Sequence, residues 1–160
     1  MSVPLTPVAR VLPNAWKLPD GYQTTIAFAA EQGVRFWEKT VKPLSVLGGE
    51  EIDTTTMLNV KWHTFWPRSL VKSGPVSGKA AYDPVVLNDI LILVNLPTVI
   101  TVHHPDHASE TFFGYLRDWD PEEREEGKLP LATYTVVVTN TDYTTSAEVP
   151  PLFTAAPGTN

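Results

Sequence analysis

Thr98-Val99-Ile100-Thr101-Val102-His103, then Thr111-Phe112-Phe113-Gly114-Tyr115-Leu116-Arg117-Asp118, then Ala132-Thr133-Tyr134-Thr135-Val136-Val137-Val138-Thr139-Asn140 are three runs rich in β-branched and aromatic residues. Each has the length and composition of a strand and is bounded by turn-forming or charged residues. The first two are joined by His104-Pro105-Asp106-His107-Ala108, ordinary hairpin-turn chemistry, and the last two by an acidic loop. Short strands in succession with turn-rich links predict a sandwich or barrel.

Upstream, the period changes. Asp83 is a good helix N-cap and Pro84 suits the first helical position. Val86, Leu87, Ile90, Leu91 and Val94 then recur at helical spacing up to Asn95, with Pro97 closing the segment. Gly74 to Tyr82 reads as a strand with Val76, Gly78, Ala80 and Tyr82 on one face, and Val60 to Trp66 as another, offering Trp62 and Phe65 for packing. Tyr22 to Ala30 alternates Tyr22, Thr24, Ile26 and Phe28 against smaller residues, and Val34 to Val41 resumes after a short turn at Glu31-Gln32-Gly33, which predicts a hairpin. Between them and the later strands, Lys42 to Thr56 has no apolar period and reads as a long loop. Loops of that length usually have a job. The expected fold is mainly β, a sandwich or barrel of about seven strands with one flanking helix and a long inter-strand loop. No internal repeat is visible.

The 160 residues fit one domain. Seven of the fifteen prolines lie in the two ends, Pro4, Pro7, Pro13 and Pro19 in one and Pro150, Pro151 and Pro157 in the other, so residues 1–20 and 143–160 read either as extended arms that lie on a neighbour or as disordered termini, flanking a domain over 21–142. No run approaches the ~20 apolar residues of a bilayer span, and Met1 to Arg10 shows no secretory pattern, so a soluble chain made in the cytoplasm is expected. With 12 basic against 18 acidic residues the net charge is −6, which argues against gripping nucleic acid. Without cysteine there are no disulfides, thiolate metal sites or thiol nucleophile.

The sequence offers little catalytic chemistry. His103, His104, Asp106 and His107 crowd together, but adjacent strand residues point to opposite faces, and the segment reads as an exposed turn rather than a metal site. His63 stands alone in another predicted strand. Asp118, Asp120, Glu122, Glu123, Glu125 and Glu126 lack the alternate spacing and glycine of a calcium loop and read as a solvated charge run. There is no Gly-x-Ser-x-Gly elbow, and Gly48-Gly49 precedes no Lys-Ser or Lys-Thr. Neither an enzyme, a metal nor a cofactor is predicted. The aromatic residues include Trp16, Trp37, Trp62, Trp66 and Trp119. Phe65-Trp66 and Phe112-Phe113 put rings on both faces of their strands, which calls for a second layer in the domain or for another subunit. The long loop cannot bury enough surface to order itself. Ile52 and Met57 can be buried at a contact and Thr54, Thr55 and Thr56 can lie extended along a neighbour. With Glu50, Glu51 and Asp53 they form the predicted subunit interface.

The order of these landmarks resembles the major tail tube proteins of long-tailed bacteriophages. Gly48 to Met57, with Asp53-Thr54-Thr55-Thr56-Met57, is similar to the Asp-x-Thr-Thr-Met segment in the long loop of that family. Pro67-Arg68-Ser69-Leu70, Val76 to Pro84 leading into the helix, Ile100 to His107, Phe113-Gly114-Tyr115-Leu116 and Ala132 to Asn140 follow in the same order. The resemblance spans about Tyr22 to Asp142; His107 replaces the glycine usual in the turn. It implies a subunit that joins hexameric rings whose inner strands form a continuous barrel, the rings stacking into a virion tail tube. DNA would pass through without specific binding, other tail proteins would be partners, and no membrane would be involved. An acidic lining suits such a conduit because it repels phosphate. The rival readings are a capsid decoration protein and a β-sandwich receptor- or carbohydrate-binding module using Trp16, Trp62 or Trp66.

Overall fold

The computed structural model of the chain describes residues 23–31 and 36–155. The arm predicted over residues 1–20 and most of the turn after Glu31 lie outside them. Eleven strands and one helix follow in order among the described residues: β1 (Thr25–Phe28), β2 (Trp37–Lys42), β3 (Val46–Gly48), β4 (Ile52–Asp53), β5 (Phe65–Trp66), β6 (Val71–Ser73), β7 (Val76–Ala81), α1 (Leu87–Leu93), β8 (Thr98–His103), β9 (Ser109–Pro121), β10 (Leu131–Val138) and β11 (Leu152–Thr154). The fold is mainly β with antiparallel sheets and one helix. The main sheet runs β1-β8-β9-β10-β7-β2, with β11 added to β9.

Alternation decides which faces are buried. Ile26 and Phe28 in β1, Ile100 and Val102 in β8, and Ala132, Tyr134 and Val136 in β10 all point to one core, which Ile90 and Leu93 of α1 cover. In β9 the core positions are Phe112, Gly114 and Leu116, yet Trp119 also packs inward. The reason is a bulge: Val136 pairs with Leu116 but Thr135 pairs with Asp118, so Arg117 is an extra residue that shifts the phase by one. Trp119 then stacks on Tyr134 at 6.5 Å, and Phe36 packs on both rings. A side chain at position 78 is excluded by the neighbouring strand and this cluster, since a Cβ there would lie 2.2 Å from the Thr40 carbonyl and 2.6 Å from the Tyr134 hydroxyl. The two edge strands approach each other: the Ile26 N–H donates to Glu38 Oε1 at 2.8 Å and the Phe28 and Phe36 rings lie 5.4 Å apart. The sheet is therefore curled towards a barrel.

Four sequence expectations are corrected. The first two strands do not form a hairpin; β1 pairs with β8 and β2 with β7, because each gains a long partner with a buried face, which outweighs a local turn signal. The helix starts at Leu87, with Val86 at the N-cap and no side-chain cap. Asp83 is captured two residues on by the Val85 N–H at 2.9 Å, a turn rather than a cap. The helix buries Ile90 and Leu93, with Val86 and Val94 partly covered, and leaves Leu91 exposed. Lys42 to Thr56 is not a loop, as the next section describes. Finally, residues 152–154, part of a segment expected to lack partners in its own domain, pair with Thr111 to Ser109 of β9. The bounds of β8 match the reading from sequence.

Candidate subunit interface

Residues 46–73 form one long two-stranded ribbon that stands apart from the main sheet. Near its root β3 pairs with β6, Val46 opposite Ser73 and Gly48 opposite Val71. Further out β4 pairs with β5, Ile52 opposite Trp66 and Asp53 opposite Phe65. Neither face is covered, so no apolar alternation is required of it, and that is why its first half reads as a loop.

The predicted interface residues Glu50, Glu51, Ile52, Asp53, Thr54, Thr55, Thr56 and Met57 all lie on the outgoing leg and the start of the tip. The threonines are engaged within the ribbon. The Thr54 N–H donates to the Thr64 carbonyl at 2.9 Å, Thr55 Oγ1 lies 3.2 Å from His63 Nδ1 and accepts from the Thr64 N–H at 3.0 Å, and the Thr56 N–H donates to Asn59 Oδ1 at 2.8 Å. Asp53 accepts the Thr55 N–H at 2.8 Å, and its bonds with Thr55 hold its carboxyl below the usual aspartate value. What is left for a partner is apolar. Met57, Leu58 and Val60 at the tip are fully or almost fully exposed, Trp62 is 76% exposed and Trp66 67%. Trp62 and Phe65, read from sequence as available for packing within the domain or against another subunit, face solvent. Sequence reasoning placed the interface on 50–57 alone. The returning leg exposes Trp62, Phe65, Trp66, Leu70 and Val71 as well, and the available signal was that 57–73 carries apolar and aromatic residues without a single acid.

The ribbon's root is fastened to the body on both legs. On one side the Leu44 N–H donates to Glu110 Oε2 at 3.1 Å, while Glu110 Oε1 meets His104 Nε2 at 3.2 Å. On the other, Ser73 Oγ and the Asn140 side-chain amide bond each other, the amide donating at 3.0 Å. The two legs are pinched together where the Gly74 N–H donates to the Ser45 carbonyl at 2.7 Å, so closely that a Cβ on Gly74 would lie 2.1 Å from Ser45 Oγ. His104, expected on an exposed turn, is thus half-buried and paired. His107 takes a positive φ of 69° in that turn, the conformation for which glycine is better suited. Among the described residues, no group of three or more His, Asp or Glu side chains is placed to hold a metal ion, and no helix is long and apolar enough to cross a membrane.

No protein-family model and no curated protein matches the sequence. Solved structures do. A chain of the anti-feeding prophage baseplate, determined with six-fold symmetry, superposes with a TM-score of 0.52 at 11% identity, over 72% of this chain and 87% of that one. A chain of the native gene transfer agent virion gives 0.60 at 12% identity, over 86% and 99%. A chain of the tail of the empty gene transfer agent particle, refined helically with C6 symmetry, gives 0.59 at 13% identity, over 86% and 99%. What the chain shares with all three is the fold.

Proposed function

We propose that this chain is a structural, non-catalytic subunit of a phage-type tail, and that copies of it close into hexameric rings that stack into a tube. The ribbon over 46–73 carries the reading: a free subunit that leaves its largest apolar side chains in water on a projecting element is complete only when another copy covers them. The six-fold symmetry of two of the particles with this fold supports the ring. Sheet edges are satisfied when neighbours in a ring pair with or cover them. Residues 50–57 and the segment 1–20 serve contacts between subunits. The net charge of −6 suits a wall along which DNA moves without being held. On this reading the subunit is made and assembled in the host cytoplasm and ends in the virion tail beside other tail proteins, with no cofactor.

Sedimentation and negative-stain imaging of the purified chain test this. Rings or tubes that grow with concentration are the expected result; a monomer at every concentration overturns it, and closed trimers point to the decoration reading instead.

A further inference from the structure

A ribbon covered by another copy must land on a definite part of that copy. Strand directions locate both parties. The ribbon leaves the body at the end where β2 finishes and β7 begins, the same end at which β8 finishes and β9 starts. Towards the opposite end, where β9 finishes and β10 starts, lies a groove of about 550 Å³ between α1 and the sheet. Leu91 and Val94 line it from the helix, and Arg117, Asp118, Trp119, Asp120, Thr133 and Thr135 from the sheet. Beside it Ile92 keeps 56% of its surface in solvent, as does Leu91.

Charge separates the ribbon's two legs. The outgoing leg, 43–56, holds Glu50, Glu51 and Asp53 and no base. The tip and returning leg, 57–73, hold Lys61, Arg68 and Lys72 and no acid. Lys61 lies over the Trp62 ring, 5.7 Å from its centre, so the exposed indole arrives with a cation attached. At the groove the balance is reversed. Arg117 is taken up by Asp118, Lys79 by Glu122 and Lys128 by Glu125. Asp120, Glu123 and Glu126 have no ion-pair partner among the described residues. Roughly fifteen residues of extended leg reach up to about 50 Å, enough to carry the tip past a neighbour's facing end and onto its flank.

We propose that the ribbon tip of one copy docks in the α1–β9–β10 groove of a second copy, Trp62 entering between Leu91 and Trp119 and Lys61 meeting Asp120. This rests on the self-assembly reading and gives it a direction. Knob and hole lie towards opposite ends of one chain, so the contact is heterologous and continues from copy to copy instead of closing on itself.

The absence of cysteine makes a clean test. Chains carrying Val60→Cys are mixed with chains carrying Thr135→Cys and oxidised under assembling conditions, with Thr25→Cys, on the exposed face at the other end of the sheet, as the control partner. A disulfide-linked pair of Val60→Cys with Thr135→Cys, and none with Thr25→Cys, is expected. Equal linkage to both partners, or Val60→Cys linking mainly to itself, overturns the groove as receptacle. As a second arm, Lys61→Glu and Asp120→Lys are each expected to suppress assembly and to restore it when combined; failure of the combination to restore it counts against the pairing. Deleting 46–73 separates the two levels. If assembly survives the deletion, the self-assembly role of the ribbon is wrong; if the deletion abolishes assembly while the cysteine pair fails to form, only the groove is wrong.

Discussion

The barrel body and the ribbon are built from the same kinds of residue and treat them in opposite ways. In the body, Ile100, Val102, Leu116, Tyr134 and Val136 are wholly removed from solvent. In the ribbon, Leu58, Val60, Trp62, Trp66 and Leu70 keep most of their surface in water. The difference lies in layers: a curled sheet with α1 packed on its inner face has somewhere to put alternate side chains, whereas a two-stranded ribbon has no second layer and is marginal alone. Burial here is a property of what covers a strand, not of the strand's composition.

That contrast can be broken or sharpened by substitution. The largest effect is expected in the body: Leu116→Ala should cost about 2 to 5 kcal/mol in urea denaturation, and a loss under ~0.5 kcal/mol, the usual size of a surface change, would mean that the core described here does not carry the fold. At the junction, Glu110→Ala strips the Leu44 N–H of its acceptor in a half-buried place and should cost about 1 to 3 kcal/mol. Its distinguishing sign is faster hydrogen exchange of Val46 to Gly48 with the body's amides unchanged, and His104→Asn should show the same sign more weakly. In the ribbon, Leu58→Ala and Val60→Ala should change the dissociated subunit's stability by less than about 0.5 kcal/mol while impairing assembly in sedimentation. A large loss in the monomer would show that the ribbon is part of the body's own fold.

The smallest effect is electrostatic. Hydrogen bonds from Thr55, Lys79 and Thr144 hold the carboxyls of Asp53, Glu122 and Asp142 respectively below their ordinary values of 3.8, 4.5 and 3.8. A depressed folded-state pKa adds stability that is present above the ordinary value and is lost as the pH falls through the folded one. All three groups are solvated, so a thermal midpoint that declines only slightly, and only below that range, is expected. In the other direction, the Tyr134 hydroxyl is pushed well above the usual tyrosine value by burial and then by Glu38, so alkaline spectrophotometric titration should find it among the last tyrosines to ionise.

How much of this was legible in the sequence follows the same division. β8 and β10 could be read as strands from their β-branched and aromatic runs, and the Val76 to Tyr82 face could be read because a buried face demands a period. The bulge at Arg117 could not, since an extra residue leaves no mark on composition, and with it went the inward turn of Trp119. Partner choice for β1 and β2 was hidden as well, because pairing over long separations depends on the assembled core. In the candidate site, 50–57 was singled out by its lack of period and by the family resemblance. The returning leg was missed because Trp62 and Phe65 look like core residues until the absence of a covering layer is known.

The bond between Ser45 and Gly74 closes the ribbon off, with the body's ladders on one side of it and the exposed Met57, Leu58, Val60, Trp62 and Trp66 on the other. Residues can therefore be added to or removed from the two legs in matched pairs, each pair changing the ribbon's length by about 3.3 Å, without disturbing one core contact. The chain carries in one place the parts that make it fold and in another an adjustable ruler, whose reach can be changed while the body stays the same.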